Sequence, residues 1–264
     1  MCSKFISVCL ALILCLASTS YGLEVVVGDW EDGSADGWDN APGWYAESNA
    51  TLTPGQTTGV TLNTGSLEVS GIPLGDARPL GTRVDGYDTD GDPIYMPNYD
   101  PDYPNCWWFL SGDHSTITND SLVKSPGVFG QSKFEIDVTG VPTGATIRGF
   151  VHFGGPNIGY AKSDFVGISV PSTTTTVTLD YIAYPTEIWY DGIFPLEWAP
   201  PMTLCDLVDC STWAPSWYEV IFALDSPDMS GTATLYVDNA RFVPEPATIV
   251  LLGVGGLILI RRKR

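Results

Sequence analysis

Hydrophobic positions follow one pattern at the two ends of the chain and another between them. Each end carries a continuous apolar run, Phe5–Ala17 near the N-terminus and Ala247–Ile260 near the C-terminus. Between these runs no long stretch has helical periodicity, and short apolar or alternating runs recur, mostly separated by Gly, Pro or Asp. This pattern is typical of all-β proteins and predicts a β-sandwich of jelly-roll or Greek-key type. The runs are Leu23–Val27, Ser66–Val69, Lys133–Val138, Thr146–Phe153, Phe165–Val170, Thr175–Ile182, Glu219–Leu224 and Thr232–Phe242.

The N-terminal run predicts a signal peptide over residues 1–22. Lys4 supplies the positive charge that precedes the apolar run, and the run is too short to span a bilayer comfortably. Small residues at Ser20 and Gly22 satisfy the requirement for cleavage, so we expect cleavage before Leu23. A retained N-terminal anchor is the alternative. Export follows from either interpretation.

The C-terminal run lies between two further features. Pro244-Glu245-Pro246 stands directly before it, and the basic residues 261–264 follow it. These three parts resemble, in the same order, the PEP-CTERM sorting signal of bacteria that contain an exosortase. The run at 247–260 would form a helix of roughly 21 Å, shorter than the ~30 Å hydrocarbon core. The basic end is expected to stay cytoplasmic.

The resemblance implies a series of sorting steps for the chain. An exosortase-type sorting enzyme would process it near Pro244, Glu245 and Pro246, after transient anchoring in the inner membrane through the transmembrane stretch 247–260. Release to the cell surface or the extracellular matrix would follow. The alternative is an ordinary C-terminal membrane anchor. The predicted organisation is thus a signal peptide at 1–22, one β-sandwich domain at 23–243 and a sorting signal at 244–264.

The domain between the signals is strongly acidic. Residues 23–243 hold 30 of the 31 acidic residues and 7 of the 12 basic residues, a formal charge of −23. Nucleic acid is excluded as a natural partner, because binding phosphate requires positive charge. The acidity either keeps an exported protein soluble or contributes to binding metal ions.

Three cysteines remain once the signal peptide is removed. Export permits disulfides, and the four residues between Cys205 and Cys210 allow a bridge that closes a small loop. Cys106 is then left over, and such a cysteine is more often buried than reactive. With His114 and His152, the cysteines form no recognisable zinc spacing.

Two segments that bracket the domain resemble the opening and closing strands of galactose-binding-like jelly rolls, which include many carbohydrate-binding modules. They are 28–38, with Trp-Glu-Asp-Gly leading to Gly-Trp, and 234–242, with Tyr-Val-Asp-Asn. The resemblance implies a structural calcium ion that joins the first and last strands, with Glu31 and Asp238 as ligands and Asp29 and Asp32 in reserve. The alternative is that these carboxylates cap turns at strand ends.

A second acidic cluster lies in the least strand-like stretch, 73–103, which we interpret as a long loop or insertion. Asp88, Asp90 and Asp92 alternate there and could converge on one cation. The segment is no EF-hand, because Pro93 occupies the position of the invariant glycine. A solvated, turn-rich loop is the alternative that the composition favours.

Tryptophan is the side chain that most favours a sugar-binding surface. Trp189, Trp198, Trp213 and Trp217 lie close together in the sequence, and sugar rings stack on exposed aromatic faces. Trp198 and Trp213, flanked by loop residues, are the strongest surface candidates. The alternative for each is a place in the core.

Three functions remain open. The first is a non-catalytic carbohydrate-binding module, and the second is a structural protein that assembles the matrix with calcium but has no discrete sugar site. The third, a polysaccharide lyase or hydrolase, is disfavoured because the sequence has no Gly-x-Ser-x-Gly elbow, phosphate loop or His-Glu-x-x-His.

Overall fold

A computed structural model describes residues 24–41, 48–75, 77, 82–87, 93–97, 106–163, 166–169, 173–182, 185–189 and 203–244. For 82–87, 93–97, 160, 162–163, 166–169 and 185–189 it describes the backbone alone. The strands in chain order are β1 (Val25–Gly28), β2 (Trp38–Asp39), β3 (Thr51–Gln56), β4 (Ser66–Pro73), β5 (Thr82–Tyr87), β6 (Pro93–Pro97), β7 (Trp107–Asp113), β8 (Ser132–Thr139), β9 (Thr146–Gly155), β10 (Ile158–Ser163), β11 (Val166–Ser169), β12 (Thr175–Leu179), β13 (Pro185–Trp189), β14 (Trp217–Asp225) and β15 (Thr232–Pro244).

The described strands form two large antiparallel sheets. The first has the order β12-β8-β15-β4-β3, with β1 paired to β15. The second has the order β13-β10-β9-β14-β7-β2, with β11 paired to β9. Because the chain passes repeatedly from one sheet to the other, the arrangement is the predicted all-β jelly-roll sandwich, which is thereby confirmed. Two short helices, α1 (Asp120–Val123) and α2 (Leu204–Leu207), and a 3₁₀ helix at Phe129–Gln131 lie in the connections.

Alternation of side chains along the strands builds the core between the sheets. In β8, Phe134, Ile136 and Val138 are buried while Lys133 and Glu135 face outward. Phe129 lies near the centre of this core and is fully buried. Its ring lies 4.5 Å from that of Tyr181, 5.1 Å from Phe153 and 5.4 Å from Tyr218, measured between centroids. Aromatic rings from both sheets and the connections therefore hold the two layers together.

The alternating runs in the sequence predicted the existence of strands well. Each of the runs overlaps a strand of the two sheets. The interpretation of 73–103 as a loop is wrong in part, because β5 and β6 pair with each other within it as an antiparallel hairpin. β5 is short, mostly polar and contains Gly86, and β6 begins and ends with proline, so neither has the alternation that marks a half-buried strand.

The part of the chain that the structure describes contains no helix with the length and hydrophobicity of a membrane span. The signal peptide at 1–22 and the transmembrane stretch at 247–260 lie outside the described residues, and both stay predictions.

Candidate functional site

Strand β14 presents alternate side chains to the two faces of the second sheet. Tyr218 and Val220 face the core and are fully buried, whereas Trp217 and Glu219 on the opposite face are half-buried. The strand period of 2 is enough to place Trp217 and Glu219 together, since they are two residues apart. We call this face of β7, β14 and β9 the outer face of the second sheet.

An aromatic row crosses the outer face of the second sheet. The His152 ring lies 5.2 Å from Trp217 and 5.9 Å from Phe150, and Phe150 lies 5.6 Å from Trp108. Each pair meets nearly edge to face, which is a favoured geometry for aromatic rings. Phe150 and Trp108 are buried, so accessible aromatic surface is found towards Trp217.

Trp217 rests on the backbone of the neighbouring strand. It pairs with Gly154 of β9, and a Cβ atom added at Gly154 would lie 2.5 Å from the indole nitrogen. Only glycine at position 154 lets the indole ring lie this close to the β9 backbone. The indole is thereby held in place on one side while part of the ring stays accessible.

Polar groups stand directly beside this ring. His152 Nε2 lies 2.7 Å from Glu219 Oε2, and Glu219 pairs across the sheet with Asp113 of β7. The pKa of Asp113 is lowered from its ordinary value. Burial is the largest single influence and by itself would raise the pKa, but the hydrogen bonds from Ser115 and the nearby histidines together outweigh it. Both histidines of the chain, His114 and His152, therefore lie close to Asp113. On the outer face, an aromatic surface therefore lies beside His152, Glu219 and Asp113, whose side chains can form hydrogen bonds with hydroxyl groups.

The predicted tryptophans have different environments. The prediction that Trp213 is exposed is wrong: it is 6% exposed, its ring packs against Phe129 and Phe153, and its Nε1–H donates to Pro156 O. Flanking loop residues misled the prediction because the loop folds back onto the core. Trp198 and the side chain of Trp189 lie outside the described residues. Trp217 stays a predicted ligand-binding residue.

The cysteines agree with the sequence-based expectation. Cys205 and Cys210 form a disulfide that closes the loop containing α2. Cys106 is buried, and burial raises the pKa of its thiol well above the ordinary range. The thiolate form is therefore strongly disfavoured.

The two predicted calcium ligands, Glu31 and Asp238, hold one loop through hydrogen bonds. Glu31 accepts from both N–H and O–H of Thr64 (2.7 and 2.6 Å) and from the N–H of Gly65 (2.9 Å). These bonds, led by that from the Thr64 hydroxyl, lower the pKa of Glu31. Asp238 accepts from the backbone N–H groups of Thr61 (2.6 Å), Leu62 (2.7 Å) and Asn239 (2.7 Å). We call residues 61–65 the clamped loop.

These hydrogen bonds bear directly on the calcium prediction. Every oxygen of both carboxylates accepts a hydrogen bond from an N–H or O–H donor, so these donors already satisfy part of the acceptor capacity that a cation would use. The reserve residues Asp29 and Asp32 accept from the N–H groups of Glu31 and Ser34 in short turns. No group of three or more acidic, histidine or cysteine side chains within the described residues has the arrangement of a metal site. Calcium at Glu31 and Asp238 stays a prediction, and the cluster Asp88, Asp90 and Asp92 lies outside the described residues.

Sequence reasoning missed Asp137, which lies directly opposite Asp238 on β8. The Thr61 hydroxyl oxygen lies 2.7 Å from Asp137 Oδ2 and 3.1 Å from Asp238 Oδ2, so one hydroxyl bridges the two carboxylates. Burial raises the pKa of Asp238. Burial also acts on Asp137, but hydrogen bonds from Thr176, Thr61 and Asn239 outweigh it and lower the pKa. The alternation of Lys133–Val138 predicts that Asp137 faces outward. It could not have identified Asp137, because this side chain is buried although it lies between two core positions.

Comparison with known proteins finds a family match at the C-terminus. Residues 242–264 match the family described as the PEP-CTERM protein-sorting motif, which confirms the resemblance noted in the sequence. The match covers the sorting signal and leaves the sandwich unassigned. Comparison with curated proteins finds no match.

Solved structures similar to the chain include several carbohydrate-binding modules. One is a family 11 module from Clostridium thermocellum in complex with a β-1,3-1,4-mixed-linked tetrasaccharide, at 13% identity and a TM-score of 0.39, covering 84% of this chain and 95% of that one. Another is the CBM27-1 module from Caldicellulosiruptor saccharolyticus in complex with mannohexaose, at 15% identity and a TM-score of 0.38, covering 85% and 98%. A further structure comes from a study of carbohydrate-binding modules of the β-sandwich superfamily, at 12% identity and a TM-score of 0.38. The similarity covers 81% of this chain, which spans 60% of that structure. Similarity this distant assigns neither a ligand nor a site.

Proposed function

We propose that the protein is an exported surface or matrix protein whose sandwich is a non-catalytic carbohydrate-binding module. An exosortase-type enzyme sorts it through the C-terminal signal, after transient anchoring in the inner membrane. The polysaccharide binds on the outer face of the second sheet, around Trp217. The match of residues 242–264 to the sorting motif supports the first part of this proposal.

The observation that carries the binding proposal is the environment of Trp217. Its ring is held against Gly154, remains partly accessible and has the His152–Glu219 pair beside it. Sugars present apolar C–H faces and hydroxyl edges, so an aromatic surface with adjacent donors and acceptors suits both. The glycan-bound modules among similar solved structures agree with this ligand class, although they do not locate the site.

The acidity of the domain narrows the class of polymer. With a formal charge of −23 over residues 23–243 and with Asp113 and Glu219 on the outer face, an anionic polymer would be repelled. We therefore propose that the ligand is an uncharged polysaccharide rather than a polyuronate. A structural calcium ion at Glu31 and Asp238 is kept as a separate proposal, and calcium-dependent matrix assembly is the alternative function that depends on it.

Affinity measurements on polysaccharides test the proposal. Residues 23–246 are assayed for retention on insoluble and soluble polysaccharides, neutral and anionic, first with calcium and then with chelator. Trp217→Ala should weaken retention about tenfold or more, because loss of a central aromatic contact typically costs that much. Tyr236→Ala is the matched control, since Tyr236 is a half-buried aromatic residue on the first sheet.

Each outcome separates the alternatives. Saturable retention that Trp217→Ala weakens and Tyr236→Ala leaves unchanged supports the proposed site. Retention that survives Trp217→Ala places the binding surface elsewhere. If no polymer is retained and calcium instead causes the protein to self-associate, a matrix-assembly role is the better account.

A further inference from the structure

The sorting motif overlaps the folded domain. The motif match begins at Phe242, whereas β15 continues to Pro244, so three residues belong to both. Val243 pairs with Lys133 of β8, and Pro244 pairs with Ser132. The sandwich and its sorting motif are therefore joined without a spacer.

The shared residues lie at a well-held end of β15. Phe242 is fully buried, and its ring lies 5.3 Å from Phe134 and 5.4 Å from Tyr218. On the side of β15 away from β8, β1 pairs with the same strand end, with Val25 opposite Phe242. A strand end with partners on both sides and a core aromatic residue is protected from fraying.

Spacing brings this end of the sandwich to the membrane. Two residues, Glu245 and Pro246, separate Pro244 from Ala247, where the predicted apolar stretch begins. The three Cα–Cα steps from Pro244 to Ala247 span about 10 Å when fully extended. The interfacial layer on one side of a bilayer is about 5–7 Å thick. The end of the sheet would therefore lie at the bilayer surface while the chain is anchored.

Enzymes that recognise an extended peptide use its main-chain N–H and C=O groups together with its side chains. Up to Phe242 the strand is paired with β8 on one side and β1 on the other, and the Phe242 side chain is in the core. Val243 and Pro244, immediately before Glu245, pair with β8. A membrane-bound enzyme could reach residues on the membrane side of Pro244, but the residues before it are part of the sheet.

We propose that the end of β15 must detach from β8 and β1 before the sorting motif can be processed, so that folding of the sandwich limits its own release. This inference rests on the sorting step of the proposed function. Processing breaks one peptide bond near the motif, and water or an acceptor amine takes the acyl group while the leaving nitrogen gains a proton. The inference concerns access to that bond and leaves its chemistry unchanged.

Insertion of a spacer tests the inference in cells that carry the sorting enzyme. A flexible Gly-Ser linker of about eight residues, with a reach of roughly 15 Å, is inserted between Val243 and Pro244 of the full-length chain. The matched control carries the same linker after Gly231, in the exposed turn before β15. Pulse–chase labelling then measures conversion of the membrane-bound precursor into the released form.

The linker at Val243 should speed release at least about tenfold, because the rate scales with the fraction of molecules in the accessible form. The control should be released at the wild-type rate. Equal rates for all three chains would overturn the inference while leaving the sorting function intact. If none of the three is cleaved, the sorting function and the inference both fall.

Hydrogen exchange supplies a readout that does not depend on the sorting enzyme. In the full-length chain in lipid nanodiscs, amides of residues 241–243 should exchange as slowly as those of the buried strand β14. Rapid exchange at 241–243 with slow exchange in β14 would show that the strand end is already open. That result would overturn the inference whatever the processing rates.

Discussion

Replacing Asp238 by asparagine tests what holds the clamped loop to the sandwich. In the native protein Asp238 Oδ2 accepts from the N–H groups of Thr61 and Leu62, and Oδ1 accepts from Asn239. An amide has the same shape but one acceptor atom, so at least one of these N–H groups would face an NH₂ group. A buried donor left without an acceptor costs about 1–3 kcal/mol.

Two effects act in the opposite direction. Burial raises the pKa of Asp238, which means that the folded protein disfavours its ionised form, and the neutral amide removes this disadvantage. The amide also removes a negative charge beside Asp137. We therefore expect a net loss in the lower part of the range, about 1–2 kcal/mol, or a fall in Tm of about 2–8 °C for a domain of this size.

Urea unfolding of residues 23–246, followed by tryptophan fluorescence with either calcium or EDTA, measures the loss. Asp228→Asn is the control, since Asp228 lies exposed in the turn before β15. If hydrogen bonds alone hold the loop, calcium and EDTA leave both unfolding curves unchanged. If Asp238 binds calcium, saturating calcium adds about 2.7 kcal/mol at 100 times the Kd to the wild type and nothing to the variant. That second pattern would refute the hydrogen-bond account and establish the calcium site.

Two further predictions concern packing and pH. Gly130→Ala should cost about 1–3 kcal/mol, because its Cβ would lie 2.5 Å from Cys210 O; an unchanged urea midpoint would contradict the packing described here. The pKa of Glu31 is lowered in the folded state, so its contribution to stability is present above its ordinary value of 4.5 and is lost as the pH falls through the folded value. Stability profiles between about pH 3 and 6 should accordingly be flatter for Glu31→Gln than for the wild type, and parallel profiles would count against the clamp.

The strands were predictable where one face of a strand is buried, because burial imposes alternation on the sequence. Lys133–Val138 shows this alternation and became β8, whereas Glu219–Leu224 is a nearly continuous apolar run that became the part of β14 buried on both faces. In β7 it fails: Trp108 lies among a small cluster on the outer face, whereas Phe109 and Leu110 both join the main core. A bulge shifts the register between these residues, and a bulge leaves no reliable mark in the sequence.

The candidate site was predictable only in part, because its residues meet through strand pairing. The spacing of Trp217 and Glu219 is local, and the period of a strand relates them. His152 joins them because β9 pairs with β14, an arrangement set by the whole sheet. Trp213 was misjudged for the same reason, since its burial depends on contacts with Phe129 and Phe153 from other parts of the chain.

The position of Trp217 relative to the chain termini links the two halves of the proposed function. Tyr218, the next residue, packs against Phe242, which lies two residues before the end of β15. Trp217 is therefore at the same end of the sandwich as Pro244, and during the proposed anchoring that end would lie on the order of 20 Å or less from the bilayer. A polysaccharide chain has limited room to approach a surface so close to the membrane. Release would remove this restriction. If the module binds through Trp217 and is processed as proposed, it would gain access to its ligand on release, and the end of β15 would influence both the timing of release and the onset of binding.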